Sequence, residues 1–137
     1  MITPNQIDIA RIKAEVEAAF HSYEAALVHN DLDTLDSLFW QSTQVVRFGA
    51  GENLYGIDAI RAFRAARDTG ALQRTLGKTR ITTYADDFAT TTTEFVRADG
   101  AAGRQSQTWV RFTDGWRIVA AHIDLYGYND DIDTTGS

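Results

Sequence analysis

The sequence lacks cysteine and contains a single proline among its 137 residues. Without cysteine the chain can form no disulfide and has no thiolate to act as a nucleophile or metal ligand. This absence fits a reducing compartment. Residues 1–13 lack the apolar core of a signal peptide, and no apolar run is long enough to span a bilayer. We therefore expect a cytoplasmic protein with no membrane partner.

Positive charge is also scarce. The chain has 13 Lys and Arg against 19 Asp and Glu, which gives a formal net charge of −6 and a pI near 4.9. This balance argues against nucleic acid or an anionic membrane as partner. Eleven of the 13 basic residues are arginine, the side chain that binds carboxylate and phosphate in a bidentate way. The bias indicates a shielded pocket for a small anion.

Motifs for cofactor chemistry are missing as well. The three histidines, His21, His29 and His122, do not have metal-ligand spacing. The sequence has no P-loop, no dinucleotide fingerprint and no GxSxG elbow. We expect no metal and no cofactor, which leaves a cofactor-free reaction or simple binding.

Apolar periodicity in the first half of the chain predicts three helices. Thr3, Pro4 and Gln6 form a capping-box pattern at the start of the first helix, and Asp31 is the expected cap of the second. Gly70 is expected to close the third. The predicted helices are residues 4–29, 32–39 and 56–68.

From residue 73 onward the apolar period changes from 3.6 to two, which is typical of strands. Short turns between these strands imply antiparallel neighbours. We therefore predict one α+β domain over residues 1–137, with three N-terminal helices on a curved, mostly antiparallel sheet and an acidic, frayed tail from about residue 129. The predicted strands are 79–84, 88–97, 104–112 and 116–125, after a first strand around residues 45–49.

Arg47 occupies an unusual position in that first strand. It shares one strand face with Val45, while Val46 and Phe48 make the other face apolar. A strand that is apolar on both faces is expected to be buried. Arg47 then either pairs with a nearby acid such as Glu52 or lies on an exposed face, or it holds the carboxylate of a bound ligand.

Tyr23 lies near the middle of the apolar stripe of the first helix. In one interpretation it belongs to the core and a backbone carbonyl accepts its hydroxyl proton. In the other, the phenol points into a cavity beneath the helix. Arg64 and Arg67 lie at the margin of the apolar stripe of the third helix, where they either reach solvent or face the pocket.

The last two strands carry further polar candidates. His122 and Asp124 end one face of the last strand, where they can close the mouth of a cavity, and the alternate residues 119, 121 and 123 are expected to be core. Gln107 lies beside Trp109 on one face of the preceding strand. It either orients a polar ligand or bonds a neighbouring backbone group.

The order of elements, with four long strands ending in the segment 115–122, resembles the NTF2-like superfamily of ketosteroid isomerases and polyketide cyclases from about residue 6 to residue 126. Five segments allow a closer comparison: LFW at 38–40, VRFG at 46–49, ENLYG at 52–56, AFRAAR at 62–67 and GRQSQTW at 103–109. In these segments the chain resembles the oxalurate-catabolism proteins and the 1,3-dicarboxyurea decarboxylase of cyanuric acid breakdown, often encoded beside amidases.

This resemblance implies a cofactor-free decarboxylase in which a tyrosine on the first helix and an arginine on the first strand form the key pair. By motif these are Tyr23 and Arg47. Arg47 would hold one carboxylate of a small anion, and the phenol would supply or relay a proton to nitrogen. The remaining candidates for ligand binding are Arg74, Gln107, Trp109 and His122.

Other functions stay open on the sequence alone. Isomerase-like proton abstraction would need a pocket carboxylate, for which Asp124 or Glu94 would have to serve. A binding or accessory protein associated with an amidase would need no catalytic group. Asp124 departs from the pattern of the resembling family, and near a pocket mouth it would repel an anionic substrate. The resemblance also implies a homodimer through the sheet.

Overall fold

The computed structural model describes residues 1–70 and 72–128. Three α-helices pack on one six-stranded sheet, and a 3-10 turn at Pro4–Gln6 precedes them. The helices are α1 (Ala10–Val28), α2 (Leu32–Ser37) and α3 (Ile57–Ala66). The strands are β1 (Val46–Phe48), β2 (Asn53–Tyr55), β3 (Arg74–Tyr84), β4 (Phe88–Arg97), β5 (Ala101–Phe112) and β6 (Gly115–Tyr128).

The sheet has the order β2-β1-β6-β5-β4-β3. β1 runs parallel to β6, and every other neighbouring pair is antiparallel. The predicted α+β fold of three helices on a curved, mostly antiparallel sheet is confirmed. The short strand β2 was not predicted, and the acidic tail predicted from about residue 129 lies outside the described residues. No helix among the described residues is long and apolar enough to cross a membrane.

The core lies between α1 and the concave face of the sheet. The apolar stripe predicted for α1 is buried there, with Ile12, Val16 and Phe20 at most 1% exposed. Trp109 and Ile118 face them from β5 and β6 with no exposed surface. Burial of this helix face sets the orientation of α1 on the sheet. The same orientation determines which α1 residues can face a cavity beneath the helix.

The start of the first helix differs from the prediction. The capping box of Thr3 and Gln6 is present, but it closes a single 3-10 turn. Ile7 then pairs with Tyr84 at the edge of the sheet, and the backbone N–H of Asp8 donates to the carbonyl of Thr83 at 3.1 Å. Because this pairing interrupts the helical hydrogen bonds, α1 begins at Ala10.

The end of the third helix also differs. The chain leaves α3 after Ala66, and Arg67 is extended with φ −72° and ψ 155°. Gly70 therefore lies beyond the helix and does not close it. By contrast, Asp31 caps α2 as predicted, since its carboxylate accepts the backbone N–H of Thr34 at 3.2 Å.

A bulge in β6 separates Ile118 from His122, which were predicted to share one face of the last strand, whereas Ala121 packs against the core as predicted. Ile118 pairs with Trp109 and Ala120 pairs with Thr108, which leaves Val119 as an extra residue. Beyond this point the alternation shifts by one position. Ile118 is therefore buried in the core, whereas His122 is exposed on the convex face.

Candidate functional site

A cavity of about 250 Å³ lies between α1, the end of α3 and the concave face of the sheet. Its wall combines apolar side chains with a tyrosine, several arginines and two kinds of carboxylate. The wall includes Tyr23, Arg47, Glu52, Phe63, Arg67, Arg74, Phe95 and Asp124.

Arg47 is buried in this wall, with 6% of its surface exposed. Its Nη1 donates to Oε1 of Glu52 at 2.9 Å, and its guanidinium lies 5.2 Å from the ring centre of Phe63. Glu52 reaches it because a turn folds the carboxylate over Gly49, where a Cβ atom would collide with it. Arg47 is therefore buried, as expected for this strand, and it also pairs with Glu52, which the sequence had offered as one alternative.

Tyr23 reaches the same cavity from α1. The side chain is 4% exposed and packs against Phe39 with the ring centres 6.3 Å apart. Within the described residues its hydroxyl makes no hydrogen bond, so no carbonyl of that part of the chain satisfies it. The structure thus brings the phenol of Tyr23 and the guanidinium of Arg47 to one cavity.

Arg74 enters the cavity wall from β3 as part of a buried network. Its Nε donates to Oε2 of Glu24 at 3.1 Å, and its Nη2 donates to the other oxygen of that carboxylate and to Oε1 of Gln105 at 2.9 Å. The guanidinium also stacks 4.4 Å from the ring centre of Phe95. Glu24 was not singled out from the sequence. Glu24 could have been recognised because it follows Phe20 by four residues and so lies in the apolar stripe of α1, where a buried carboxylate needs a cation as partner.

Arg67 lines the cavity without a carboxylate of its own. Its Nε and Nη2 are buried and have no hydrogen-bond partner among the described residues. Burial lowers the pKa of the Arg67 guanidinium, and the charges of Arg64 and Arg47 act in the same direction. Tyr23 and Asp36 act in the opposite direction on that pKa. Arg67 therefore brings close to Tyr23 and Arg47 a positive charge that forms no ion pair within the described residues.

Arg64 takes a different role one turn earlier in α3. It is 2% exposed, its Nη1 donates to Oδ1 of Asp36 at 2.9 Å, and it stacks 4.5 Å from the ring centre of Phe39. It is not one of the residues that line the cavity. Arg67 therefore lines the cavity, whereas Arg64 is buried outside it and does not reach solvent.

Gln107, Trp109 and His122 lie away from the cavity wall. Trp109 Nε1 donates to Oγ1 of Thr91 at 3.0 Å, and that hydroxyl donates to Oε1 of Gln107 at 3.1 Å. The His122 ring lies on the convex face, 6.1 Å from the ring of Phe48. Of the six candidate residues, the structure gathers Tyr23, Arg47 and Arg74 at the cavity and leaves these three outside it.

The two carboxylates considered for proton abstraction are poorly placed for it. Asp124 lies at the cavity rim with its side chain 41% exposed. Its Oδ1 is buried without a hydrogen-bond partner among the described residues, and Nε of Arg104, its cross-strand neighbour, lies 3.7 Å from that oxygen. Glu94 is exposed and does not line the cavity. No group of three or more His, Cys, Asp or Glu side chains in the described ranges is placed to hold a metal ion.

Three helices on a curved six-stranded sheet, with a cavity enclosed between them, define the NTF2-like or cystatin-like class of α+β proteins. The chain belongs to the AtzH-like family, whose model matches residues 5–129.

Solved structures support both levels of this assignment. A protein of unknown function from Pectobacterium atrosepticum is 52% identical, with a TM-score of 0.90 over 93% of this chain and 100% of that one. A cystatin-like protein from Burkholderia xenovorans is 43% identical, with a TM-score of 0.85 over 90% of this chain and 98% of that one. An NTF2-like protein from Pseudomonas putida shares the fold at 14% identity, with a TM-score of 0.71 over 83% of this chain and 86% of that one. No curated protein matches the chain by sequence.

Proposed function

We propose that this protein is a cofactor-independent decarboxylase for a small carboxylated urea or amide, similar to 1,3-dicarboxyurea decarboxylase. The observation that carries the proposal is the meeting of Tyr23 and Arg47 at one arginine-rich cavity. The resemblance of the sequence to the dicarboxyurea subfamily assigns its key pair to the same two residues.

Arg47 binds one carboxylate of the substrate in this proposal. Only its Nη1 is hydrogen-bonded within the described residues, so the other two nitrogens remain available to a ligand. Burial of the guanidinium excludes water and strengthens a charge-assisted hydrogen bond to an anion. The Glu52 carboxylate and the Phe63 ring fix the orientation of Arg47 before the substrate arrives.

Tyr23 acts as the proton donor. In the decarboxylation of an N-carboxylate, the C–N bond breaks, its electron pair goes to nitrogen, and the carboxylate leaves as carbon dioxide. The nitrogen must gain a proton in this step, and the Tyr23 hydroxyl supplies it. The phenolate left behind recovers its proton from water. Until then, the positive charge of the neighbouring arginines offsets the negative charge on the phenolate oxygen.

The competing enzymatic function has less support from the geometry. Proton abstraction needs a carboxylate that faces the cavity and is held out of water. The Asp124 side chain at the rim is 41% exposed and lies 3.7 Å from the Arg104 cation, and Glu94 is exposed. A homodimer and a functional link to an amidase belong to the same proposal, on the strength of the resemblance alone.

The direct test is release of carbon dioxide from N-carboxylated ureas. N-Carboxyurea and its N,N′-dicarboxy analogue are kept as salts in alkali, diluted to neutral pH with enzyme, and followed by membrane-inlet mass spectrometry. We expect wild type to exceed the spontaneous rate and Tyr23→Phe to lose about 10²- to 10⁴-fold of this excess while it still binds anions. Arg47→Gln should lose binding.

Tyr55→Phe is the matched control, because Tyr55 is an exposed tyrosine outside the cavity wall. A wild-type rate equal to the spontaneous rate, together with anion binding that requires Arg47, would identify a binding protein and refute the decarboxylase.

A further inference from the structure

We propose that Arg67 is a second carboxylate-binding residue of the cavity and that it makes the site selective for ligands with two carboxylates. This inference deepens the proposed function and rests on its assignment of the first carboxylate to Arg47. It is carried by the geometry of three guanidinium groups in this chain.

Two of these guanidinium groups show how arginine binds carboxylate here. Arg74 uses its Nε and Nη2 together to bind both oxygens of Glu24. Arg97 uses the same two nitrogens to bind Asp99, with Nε–Oδ1 and Nη2–Oδ2 distances of 3.2 and 2.6 Å. Nε and Nη2 form one edge of the guanidinium plane, and this edge matches the two oxygens of a carboxylate.

In Arg67 the two nitrogens of this edge are buried. Nε and Nη2 both lack a hydrogen-bond partner in the described part of the chain. No carboxylate of that part forms an ion pair with Arg67 either, whereas Arg47, Arg64 and Arg74 each have one. Buried guanidinium donors are costly to leave unpaired. A ligand carboxylate at this edge would remove that cost.

The position of Arg67 in the cavity wall distinguishes it from Arg64. Arg67 is the first residue after α3, and its extended backbone takes it off the helix. It lines the cavity together with Tyr23 and Arg47. Arg64 has the same two nitrogens unpaired, but it stacks on Phe39 and does not line the cavity.

The charges around Arg67 agree with this role. Burial and the charges of Arg64 and Arg47 lower the pKa of Arg67 against the opposing influence of Tyr23 and Asp36, so the protein holds this cation less favourably than water does. A dianionic ligand would place one carboxylate at Arg67 and the other at the two nitrogens of Arg47 that do not bind Glu52. A monoanion would occupy only one of these two positions.

The test compares two probes of equal length that differ in one charge: glutarate and its monoamide, glutaramate. Isothermal titration calorimetry on wild type should give tighter binding of glutarate by about tenfold or more, as expected for a charge-assisted contact. Arg67→Met should bring the two affinities together while it retains binding of glutaramate. Arg67→Lys should keep part of the preference. Arg61→Met, which changes an exposed arginine of α3, should keep all of it.

Thermal unfolding separates this role from a structural one. If Arg67 serves to bind a ligand, Arg67→Met removes a partly buried cation that forms no ion pair in the described part of the chain, and the unfolding midpoint without ligand stays equal to wild type or rises. An unchanged glutarate preference in Arg67→Met would overturn the inference. So would the absence of a preference in wild type, or a lowered midpoint together with loss of both ligands.

These outcomes are independent of the proposed reaction. A glutarate preference that depends on Arg67, in a protein that releases no carbon dioxide, would refute the decarboxylase and leave the anion site standing. Enzymatic release of carbon dioxide from N-carboxyurea, without any glutarate preference, would support the decarboxylase and refute the role of Arg67.

Discussion

Arg47 and Glu52 form an ion pair with an Nη1–Oε1 distance of 2.9 Å in the wall of the cavity. The acid follows the arginine by five residues, and its carboxylate folds over Gly49, where a Cβ atom would displace it. The pair orients the guanidinium, yet it also places a negative charge beside the proposed anion site. Glu52 therefore acts both as a support for Arg47 and as a competitor of the ligand.

This double role predicts that Glu52→Gln strengthens anion binding. The glutamine oxygen can still accept from Nη1 of Arg47, but the competing charge is gone. We expect glutarate to bind roughly three- to tenfold more tightly in calorimetry, equivalent to about 1 kcal/mol. Glu94→Gln, an exposed acid outside the cavity wall, is the control. Weaker binding in Glu52→Gln would mean that orientation of Arg47 matters more than its charge balance.

Removal of one partner of the Glu24–Arg74 ion pair is expected to lower the free energy of unfolding substantially. Glu24→Gln leaves the Arg74 cation, whose side chain is 3% exposed, without a counter-charge. Chemical denaturation should show a loss of about 3 kcal/mol or more. The double variant Glu24→Leu/Arg74→Met should recover part of this loss, because it removes both buried charges. A loss below about 1 kcal/mol in the single variant would contradict this interpretation.

Gly103 lets β5 approach its neighbours closely. A Cβ atom there would collide with the carbonyl oxygen of Asp124 and the ring of Phe95, the ring on which Arg74 stacks. Gly103→Ala should therefore cost about 1–3 kcal/mol in denaturant unfolding and weaken glutarate binding through Arg74. Gly127→Ala is the matched control, because nothing lies within 4 Å of the position that a Cβ atom would take there. Equal stability of the two variants would contradict the close contact.

The cap of α2 gives a prediction for pH. Hydrogen bonds from the side chain and backbone of Thr34 lower the pKa of Asp31 below its usual value of 3.8. A lowered carboxyl pKa stabilises the folded state above the unfolded-state value and loses this effect as the pH falls through the folded-state value. Asp31→Ala should therefore lower the thermal midpoint at pH 7, and the difference from wild type should shrink below about pH 4. A difference that is constant between pH 7 and pH 3 would exclude the ionised cap.

Much of the fold follows from local patterns that the sequence displays. The apolar stripe of α1 predicts its buried face, and the change of period near residue 73 predicts the long strands. Arg47 and Tyr23 were found because each places a polar group where the pattern requires an apolar one. Such a conflict is visible without any knowledge of the neighbours.

The errors arise where distant parts of the chain decide the outcome. The bulge at Val119 depends on the register between β5 and β6, and this one extra residue moves His122 to the convex face. Glu24 and Arg74 are separated by 50 positions, so their pairing is invisible until α1 lies on the sheet. The orientation of Arg67 depends on where α3 ends, which the predicted stop at Gly70 misplaced.

The most direct test of the central claim is a crystal structure of the protein with glutarate bound. One carboxylate should lie within hydrogen-bond distance, about 3 Å, of the Arg47 guanidinium, with the middle of the ligand against the Tyr23 hydroxyl. Glutarate on the convex face near Lys78, Arg80 and Arg104, with the cavity beneath α1 unoccupied by it, would contradict the claim that Arg47 and Tyr23 act on one small anion.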